Sequence, residues 1–207
     1  MGLMGLLVLA IAVWMVGGVW ALLRMAKHPP GGSAGVAIAR GLPLDPAEAG
    51  LNFERWTYRT PDGLDLSVWD IAGCGRNDPV ILIHDWGQSP LSMLERANEL
   101  LAETTRIIVP CLRGHDGEAG ACSLGPRETD DLARLVETLA VTVYIEGSGF
   151  GGLIASAACE LPLVAGVTTI DSWTDQANGL ARILATYGFP AFPIAVVANW
   201  CFSVCRS

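Results

Sequence analysis

Short apolar runs alternate with amphipathic stretches between residues 79 and 171, and this alternation constrains the fold more than any other feature. Four runs are typical of strands buried on both faces: Pro79–Ile83, Arg106–Pro110, Val141–Ile145 and Val164–Ile170. Three stretches between them have helical spacing: Ser89–Glu103, Arg127–Leu139 and Leu153–Cys159. Strand–helix alternation of this kind predicts an α/β fold with a mostly parallel sheet and right-handed crossovers.

A β-hairpin is predicted just before this region. Phe53–Thr60 and Leu64–Ala72 alternate between apolar and polar residues, and Pro61-Asp62-Gly63 between them is a turn sequence. The predicted α/β core therefore spans residues 51–175.

Three loops follow predicted buried strands, and they are where chemistry is expected. They are His84–Gln88, Leu112–Gly120 and the glycine-rich turn Gly147–Gly152. The carboxyl ends of parallel strands meet at one edge of the sheet, so these loops should lie together there.

The loops resemble those of the α/β-hydrolase superfamily, in order and in spacing. His84-Asp85-Trp86-Gly87 resembles the oxyanion loop, and Arg113-Gly114-His115-Asp116-Gly117 resembles the RGHG loop. The turn at Gly147–Gly152 resembles the nucleophile elbow, and Thr168–Trp173 resembles the strand that follows it. The likeness is greatest to serine acyl hydrolases and peptidase-like esterases. It implies a Ser–His–Asp triad that cleaves esters, thioesters or peptide bonds without a cofactor or a metal.

The nucleophile position departs from that pattern. The elbow needs small residues two positions before and after the nucleophile, and Gly147 and Gly151 satisfy this rule only if the nucleophile position is Gly149. Glycine accepts the strained backbone but has no oxygen for attack. Ser148 is the alternative nucleophile, although it corresponds to a residue that points sideways in the family.

The rest of the catalytic machinery is also altered. By analogy, the backbone N–H groups of Trp86 and Phe150 would form the oxyanion hole, but Asp85 replaces a glycine there, and a carboxylate would repel an oxyanion. His84 and His115 match loop positions that shape the pocket and do not act as the base. His28 lies before the core and no histidine follows the elbow, so we expect a form truncated after the sixth strand.

The N-terminus is predicted to be a transmembrane anchor. Residues 1–23 carry no charged side chain, and residues 2–23 would span about 33 Å as a helix at ~1.5 Å per residue. A cleaved signal peptide is the alternative, but the run is long and has no basic start. Arg24, Lys27 and Arg40 follow it, which favours a single-pass protein with its main domain in the cytoplasm.

Two further segments flank the core. Residues 24–50 are predicted to be a flexible linker, because Pro, Gly and Ala dominate them. Residues 176–207 form an apolar tail that we interpret as a cap-like segment; contact of 189–205 with the membrane is the alternative.

The sequence leaves three hypotheses for function. A net charge of −8 disfavours nucleic acid as a partner. The first hypothesis is a membrane-anchored pseudoenzyme that binds a protein partner or a small acyl ligand. The second is a serine hydrolase that uses Ser148 or a site completed by another chain, and the third is a decayed hydrolase without function.

Overall fold

A six-stranded sheet forms between residues 53 and 170 in a computed structural model, which describes residues 2–31, 38–39 and 43–204. The strands are β1 (Phe53–Arg59), β2 (Asp65–Ala72), β3 (Val80–Ile83), β4 (Arg106–Pro110), β5 (Val143–Ser148) and β6 (Val164–Ile170). Their order across the sheet is β1-β2-β4-β3-β5-β6. The β1–β2 and β2–β4 pairs are antiparallel and the remaining pairs are parallel, which confirms the predicted α/β fold with its leading hairpin.

The helices are α1 (Leu3–Lys27), α2 (Leu94–Leu100), α3 (Pro126–Leu139), α4 (Phe150–Ala157), α5 (Gln176–Thr186) and α6 (Ile194–Val204). Helix α2 follows a 3₁₀ turn at Pro90–Met93, so the stretch predicted as one long helix is a tighter turn joined to a short helix. Helix α3 starts one residue earlier than predicted. The Glu128 carboxylate accepts hydrogen bonds from the backbone N–H groups of Ser123 and Gly125, and these bonds fix the start of α3.

Strand β5 is shifted towards the elbow relative to its predicted position. Ala140 adopts a left-handed conformation that ends α3, so the chain becomes extended only at Val143. The strand then runs on to Ser148, which pairs with Ile170 of β6. Ser148 is therefore a strand residue, and the turn begins at Gly149.

One part of the core packs α2 against the sheet. Alternate residues of three strands point to the same side, namely Trp69 and Ile71 of β2, Leu82 of β3, and Ile107 and Val109 of β4. Ala97 and Leu100 of α2 are buried against them. Strands β3 and β4 are short and almost fully buried, and the candidate site lies at their carboxyl ends.

The chain divides into two compact units. One runs from His28 to Trp173 and contains the sheet. The other consists of α1 and the chain from Thr174 onward, with α5 and α6. The first helix continues through Lys27, so residues 24–27 of the predicted linker are helical. Arg40 and Cys205 lie outside the described residues, as does much of the predicted linker.

One helix among the described residues is long and apolar enough to cross a membrane. It is α1, near the N-terminus. A signal sequence would satisfy the same criteria of length and composition, so the helix alone does not decide between the two.

Candidate functional site

A strained turn at Gly149 joins β5 to α4. Gly149 has φ 53° and ψ −114°, which L side chains adopt only at a cost. Its N–H donates to the Ile170 carbonyl at 2.9 Å, and its own carbonyl accepts from the Trp173 N–H at 3.0 Å. The nucleophile-elbow conformation is thus present, with glycine at its most strained position.

The flanking glycines are required by close backbone approach. A Cβ atom on Gly147 would collide with the Gly151 backbone, and a Cβ on Gly151 would collide with the Ile83 carbonyl. These contacts are the reason why the turn needs small residues on both sides of Gly149. Centring the elbow on Ser148 would instead place Glu146 and Phe150 at those two positions.

The Asp85 carboxylate lies directly over Gly149. A Cβ atom added to Gly149 would overlap all three heavy atoms of that carboxylate. The side chain of Asp85 thus fills the space into which a nucleophile at position 149 would project. Asp85 and a serine at position 149 cannot both adopt these positions.

The same carboxylate also accepts the hydrogen bonds that an oxyanion would need. Asp85 Oδ1 accepts from the Phe150 N–H at 2.6 Å and from the Trp86 N–H at 2.7 Å. These are the two N–H groups that the sequence resemblance assigned to the oxyanion hole. Phe150 is the first residue of α4, where the helix dipole also favours a negative charge.

His84 is buried beside this carboxylate and both of its ring nitrogens are hydrogen-bonded. Nδ1 donates to the Asp85 carbonyl at 2.9 Å, and Nε2 accepts from the Leu112 N–H at 3.2 Å. Burial, and to a lesser degree the neighbouring His115, lowers the pKa of His84 to about 3. His84 is a neutral residue that joins two loops, and neither nitrogen is available to take a proton from a substrate.

His115 is buried in an aromatic cluster next to the elbow. Its ring lies edge-on to His84, with centroids 5.2 Å apart, and stacks on Phe150 at 6.2 Å. Nδ1 is 3.0 Å from the Arg113 carbonyl, and Nε2 has no hydrogen-bond partner among the described residues. Burial lowers the pKa of His115. Phe150 continues the cluster to Trp173, at 5.1 Å.

Arg113 holds the loop that carries His115. It is almost fully buried and forms two hydrogen bonds each with Asp62, in the hairpin turn, and Asp131, in α3. The side-chain hydrogen bonds from Arg113 keep the pKa of Asp62 well below its usual range. The resemblance singled out Arg113, but nothing in the spacing of the sequence identified Asp62 and Asp131 as its partners.

The structure therefore gathers the predicted site residues at one end of the sheet. His84, Asp85, Trp86, His115, Ser148, Gly149 and Phe150 all belong to the three predicted loops or to the strand end beside them. A separate hollow of about 620 Å³ lies near the start of β3, and none of these residues lines it. In the part of the chain that the structure describes, no cluster of His, Cys, Asp and Glu has the arrangement of a metal site.

Comparison with known proteins agrees with this architecture. The sequence model of the Alpha/beta hydrolase family matches residues 80–202. No curated protein sequence matches the chain.

Solved structures give the same fold. An esterase from Pyrococcus furiosus superposes with a TM-score of 0.64 at 20% identity, over 87% of this chain and 66% of that one. An α/β-hydrolase from Penicillium sp. gives a TM-score of 0.52 at 17% identity, over 66% and 53%. This chain thus spans about two thirds of the esterase and about half of the fungal protein. The family match covers more than half of the sequence, and the chain belongs to the alpha/beta hydrolase family.

Proposed function

We propose that the chain is a membrane-anchored α/β-hydrolase-like protein that does not act as a serine hydrolase and that works by binding. The position of the Asp85 carboxylate carries this proposal. It accepts hydrogen bonds from both candidate oxyanion donors and fills the space above Gly149. A substrate carbonyl would have to displace a carboxylate held by two short hydrogen bonds before it could be polarised.

The lack of a usable nucleophile supports the same conclusion. Gly149 occupies the elbow, and Ser148 lies in β5 with its backbone paired to β6. A serine nucleophile gains its reactivity from exposure on the strained turn and from a base within hydrogen-bonding distance. Ser148 is not on that turn.

The two histidines of the site loops supply no base. His84 has both nitrogens engaged, and His115 is fully buried with its pKa lowered. His28 precedes the core at the end of α1 and is exposed. A general base has to reach the proton that it removes. The ring nitrogens of His84 are already hydrogen-bonded and His115 is buried, so neither is placed to accept a proton from a hydroxyl at the elbow.

The membrane anchor in this proposal is α1. It is the described helix with the length and apolar composition of a span, and its last turn carries Arg24 and Lys27. Basic residues after the span favour a cytoplasmic location for the part of the chain that follows.

A binding role is supported by the outer end of the sheet. Strand β6 is an edge strand, and Ile170, at its end, is 52% exposed. Tyr144 on the neighbouring β5 is 46% exposed. An edge strand with exposed apolar side chains is a surface that a protein partner can cover. The elbow loops would be the site of a small acyl ligand.

Labelling with a fluorophosphonate tests the proposal. The full chain, extracted in mild detergent, should remain unlabelled, and so should a Ser148→Ala variant. Two variants separate the missing serine from the blocking carboxylate. Gly149→Ser restores only the serine, whereas Asp85→Gly/Gly149→Ser also clears the space over the elbow. Labelling of the native chain that disappears in Ser148→Ala would show an active hydrolase and overturn the proposal.

A photoreactive residue tests the binding role. Placed at Ile170, it should crosslink one stoichiometric protein in membranes, while the same residue at the exposed position Arg134 of α3 should not. Equal crosslinking from both positions, or none from either, would contradict a protein partner at the β6 edge.

A further inference from the structure

Helix α6 packs along the C-terminal half of α1. On α6, Ile194, Ala198 and Phe202 are buried, and they lie on one side of the helix. On α1, the buried residues are Val19, Leu22 and Ala26. These two sets are spaced by three or four residues, as the contact faces of paired helices are.

The two helices run in the same direction. A Cβ atom built on Gly18 would be 2.8 Å from Cδ1 of Ile194, at the start of α6. Lys27 Nζ lies 5.6 Å from the ring centroid of Phe202, near the end of α6. Small residues at the contact, such as Gly18 and Ala198, allow the close approach that is common between helices in membranes.

The opposite face of α6 carries large apolar side chains that are exposed in the part of the chain that the structure describes. Val196, Trp200 and Val204 are 60%, 66% and 52% exposed, and they recur every four residues to form one stripe. Phe192, just before the helix, is 75% exposed. The helix from Ile194 to Val204 contains no charged residue. A solvent-facing helix surface normally carries charged side chains, and this one carries none; its one exposed polar side chain among the described residues is Ser203.

Two polar side chains of α6 form hydrogen bonds inside the unit. Asn199 Oδ1 accepts from the Gln176 side-chain amide at 3.1 Å, and the Ser203 hydroxyl donates to the Asn199 carbonyl at 2.9 Å. Side chains exposed to hydrocarbon cannot hydrogen-bond to a solvent, so internal pairing of this kind is what a lipid-contacting helix requires.

We infer that α6 lies beside the anchor in the same bilayer leaflet, with the stripe Val196–Trp200–Val204 against acyl chains. This inference rests on the proposed role of α1 as a membrane span. Ile194 is level with Gly18, nine residues before Lys27, and at ~1.5 Å per residue this is a depth of about 13.5 Å, or roughly one leaflet of a ~30 Å core.

Two features of the unit fit a position at this depth. Arg24 and Lys27 end α1 at the level reached by the last turns of α6, where headgroups would accept their charges. Trp200 lies on the same turns, and indole rings concentrate at the boundary between headgroups and acyl chains. The tail would therefore widen the anchor on one side of the membrane without crossing it.

Photolabelling from the lipid phase tests this placement. The full chain is reconstituted in phosphatidylcholine vesicles that contain a phosphatidylcholine with a diazirine in its acyl chain, and tryptic peptides are analysed after irradiation. Trypsin separates residues 1–24, 128–134, 135–182 and 183–206. We expect label in peptides 1–24 and 183–206. Peptide 128–134 is the charged control. Peptide 135–182 is a second control, counted only up to Trp173 by fragmentation of the peptide, because this part contains the exposed Tyr144 and Ile170 and lies outside the unit of α1, α5 and α6.

A substituted pair sharpens the test. Trp200→Glu should reduce labelling of peptide 183–206 by about tenfold and leave peptide 1–24 unchanged, because a carboxylate is costly among acyl chains. Tyr144→Glu, a matched change of an exposed aromatic residue, should alter neither peptide.

Each other outcome overturns the inference in a different way. Label in peptide 1–24 without label in 183–206 would remove α6 from the membrane and leave the anchor in place. Equal label in 135–182 and 183–206 would show that lipid contacts any exposed apolar surface. Absence of label from peptide 1–24 would reject the anchor itself, and with it the membrane part of the proposed function.

Discussion

Asp85 and Gly149 are two departures from the family pattern that the structure explains together. Removal of the nucleophile side chain leaves a space at the elbow, and the carboxylate of residue 85 occupies it. Two backbone N–H donors and a helix N-terminus then stabilise the negative charge. In the fold that this chain shares, those donors are placed where charge develops on a substrate, and here a residue of the chain itself supplies the charge.

Because the Asp85 carboxylate fills the space beside Gly149, substitutions at positions 85 and 149 should have strongly non-additive effects on the free energy of unfolding. Gly149→Ser should destabilise the native chain by about 2–3 kcal/mol or more, because the new side chain meets the Asp85 carboxylate. In an Asp85→Gly background the same change should cost about 1–2 kcal/mol less, since only the backbone strain remains. Urea unfolding of the four proteins of this double-mutant cycle, in one detergent, measures the coupling. Additive changes would mean that the two side-chain positions do not compete.

Acid should destabilise the core through His84. The pKa of His84 is lowered to about 3 in the folded chain, whereas an unfolded histidine has its usual value of about 6.5. The unfolded state therefore binds an extra proton below pH 6.5, and stability should fall by about 1.4 kcal/mol per pH unit for this group between pH 6.5 and 3. The lowered pKa of His115 acts in the same direction.

Unfolding free energies measured between pH 7.5 and 5.5 check this expectation, because few carboxylates titrate in that range. His84→Gln should reduce the slope by one histidine's contribution, even if it lowers the stability at every pH. An unchanged slope would place His84 in contact with water.

At the scale of elements, the sequence predicts which segments form the strands of the sheet, but it predicts less well where each strand begins and ends. Strands β4 and β6 have the bounds that their apolar runs predicted. The prediction that β6 is buried on both faces was wrong, because β6 is an edge strand and each of its residues is partly or fully exposed. Strand β5 was misplaced because its start depends on the helix cap at Ala140 and its end on pairing with β6. Neither contact can be read from a local apolar pattern.

The candidate site was also only partly predictable from the sequence. Motif spacing predicted the three loops and placed Gly149 at the nucleophile position, and it predicted that Asp85 is unfavourable for hydrolysis. It could not show that this carboxylate hydrogen-bonds to both candidate donors, because that depends on the distance between β3 and the start of α4. It likewise missed the partners of Arg113, which come from residues far apart in the sequence.

The Arg113 cluster should be the main electrostatic support of the site loops. It joins the hairpin turn, the loop of His115 and α3 through one buried guanidinium. Arg113→Met should therefore cost about 3–5 kcal/mol, because it leaves the buried Asp131 carboxylate unpaired. Arg134→Met is the matched control: Arg134 pairs with Glu137 on the exposed face of α3 and should contribute less than about 1 kcal/mol. Equal losses in thermal unfolding would argue against a structural role for the buried cluster.

At the scale of the whole molecule, the chain combines a hydrolase core with a unit in which α1 packs against the two tail helices. The sequence suggested an anchor and a cap-like tail as separate segments. It could not indicate that they pack together, because the contact depends on small residues and apolar faces that also suit burial under a core. The division into two units makes membrane attachment and the elbow separately testable.

The full chain should behave as an integral membrane protein. Sedimentation with membranes in alkaline carbonate, and release by detergent, are the expected results for a retained α1. A three-charge variant of α1, Val13→Lys/Val16→Lys/Trp20→Lys, should be released without detergent. The same number of lysines at exposed positions of α3 should not change how the protein divides between the membrane pellet and the soluble fraction. Release of the native chain by carbonate would contradict the anchor.

The account depends most directly on whether the Phe150 N–H is bonded to the Asp85 carboxylate. The chain has five phenylalanines, so ¹⁵N-Phe labelling of the full protein in micelles gives a short set of amide resonances, with Phe150→Leu to identify the relevant one. We predict that the Phe150 amide proton is strongly downfield, slow to exchange, and moved upfield by Asp85→Ala while the Phe53 amide is unaffected. A Phe150 amide that exchanges freely with water and ignores Asp85→Ala would mean that the oxyanion donors are open, and the proposed loss of hydrolase chemistry would lose its structural basis.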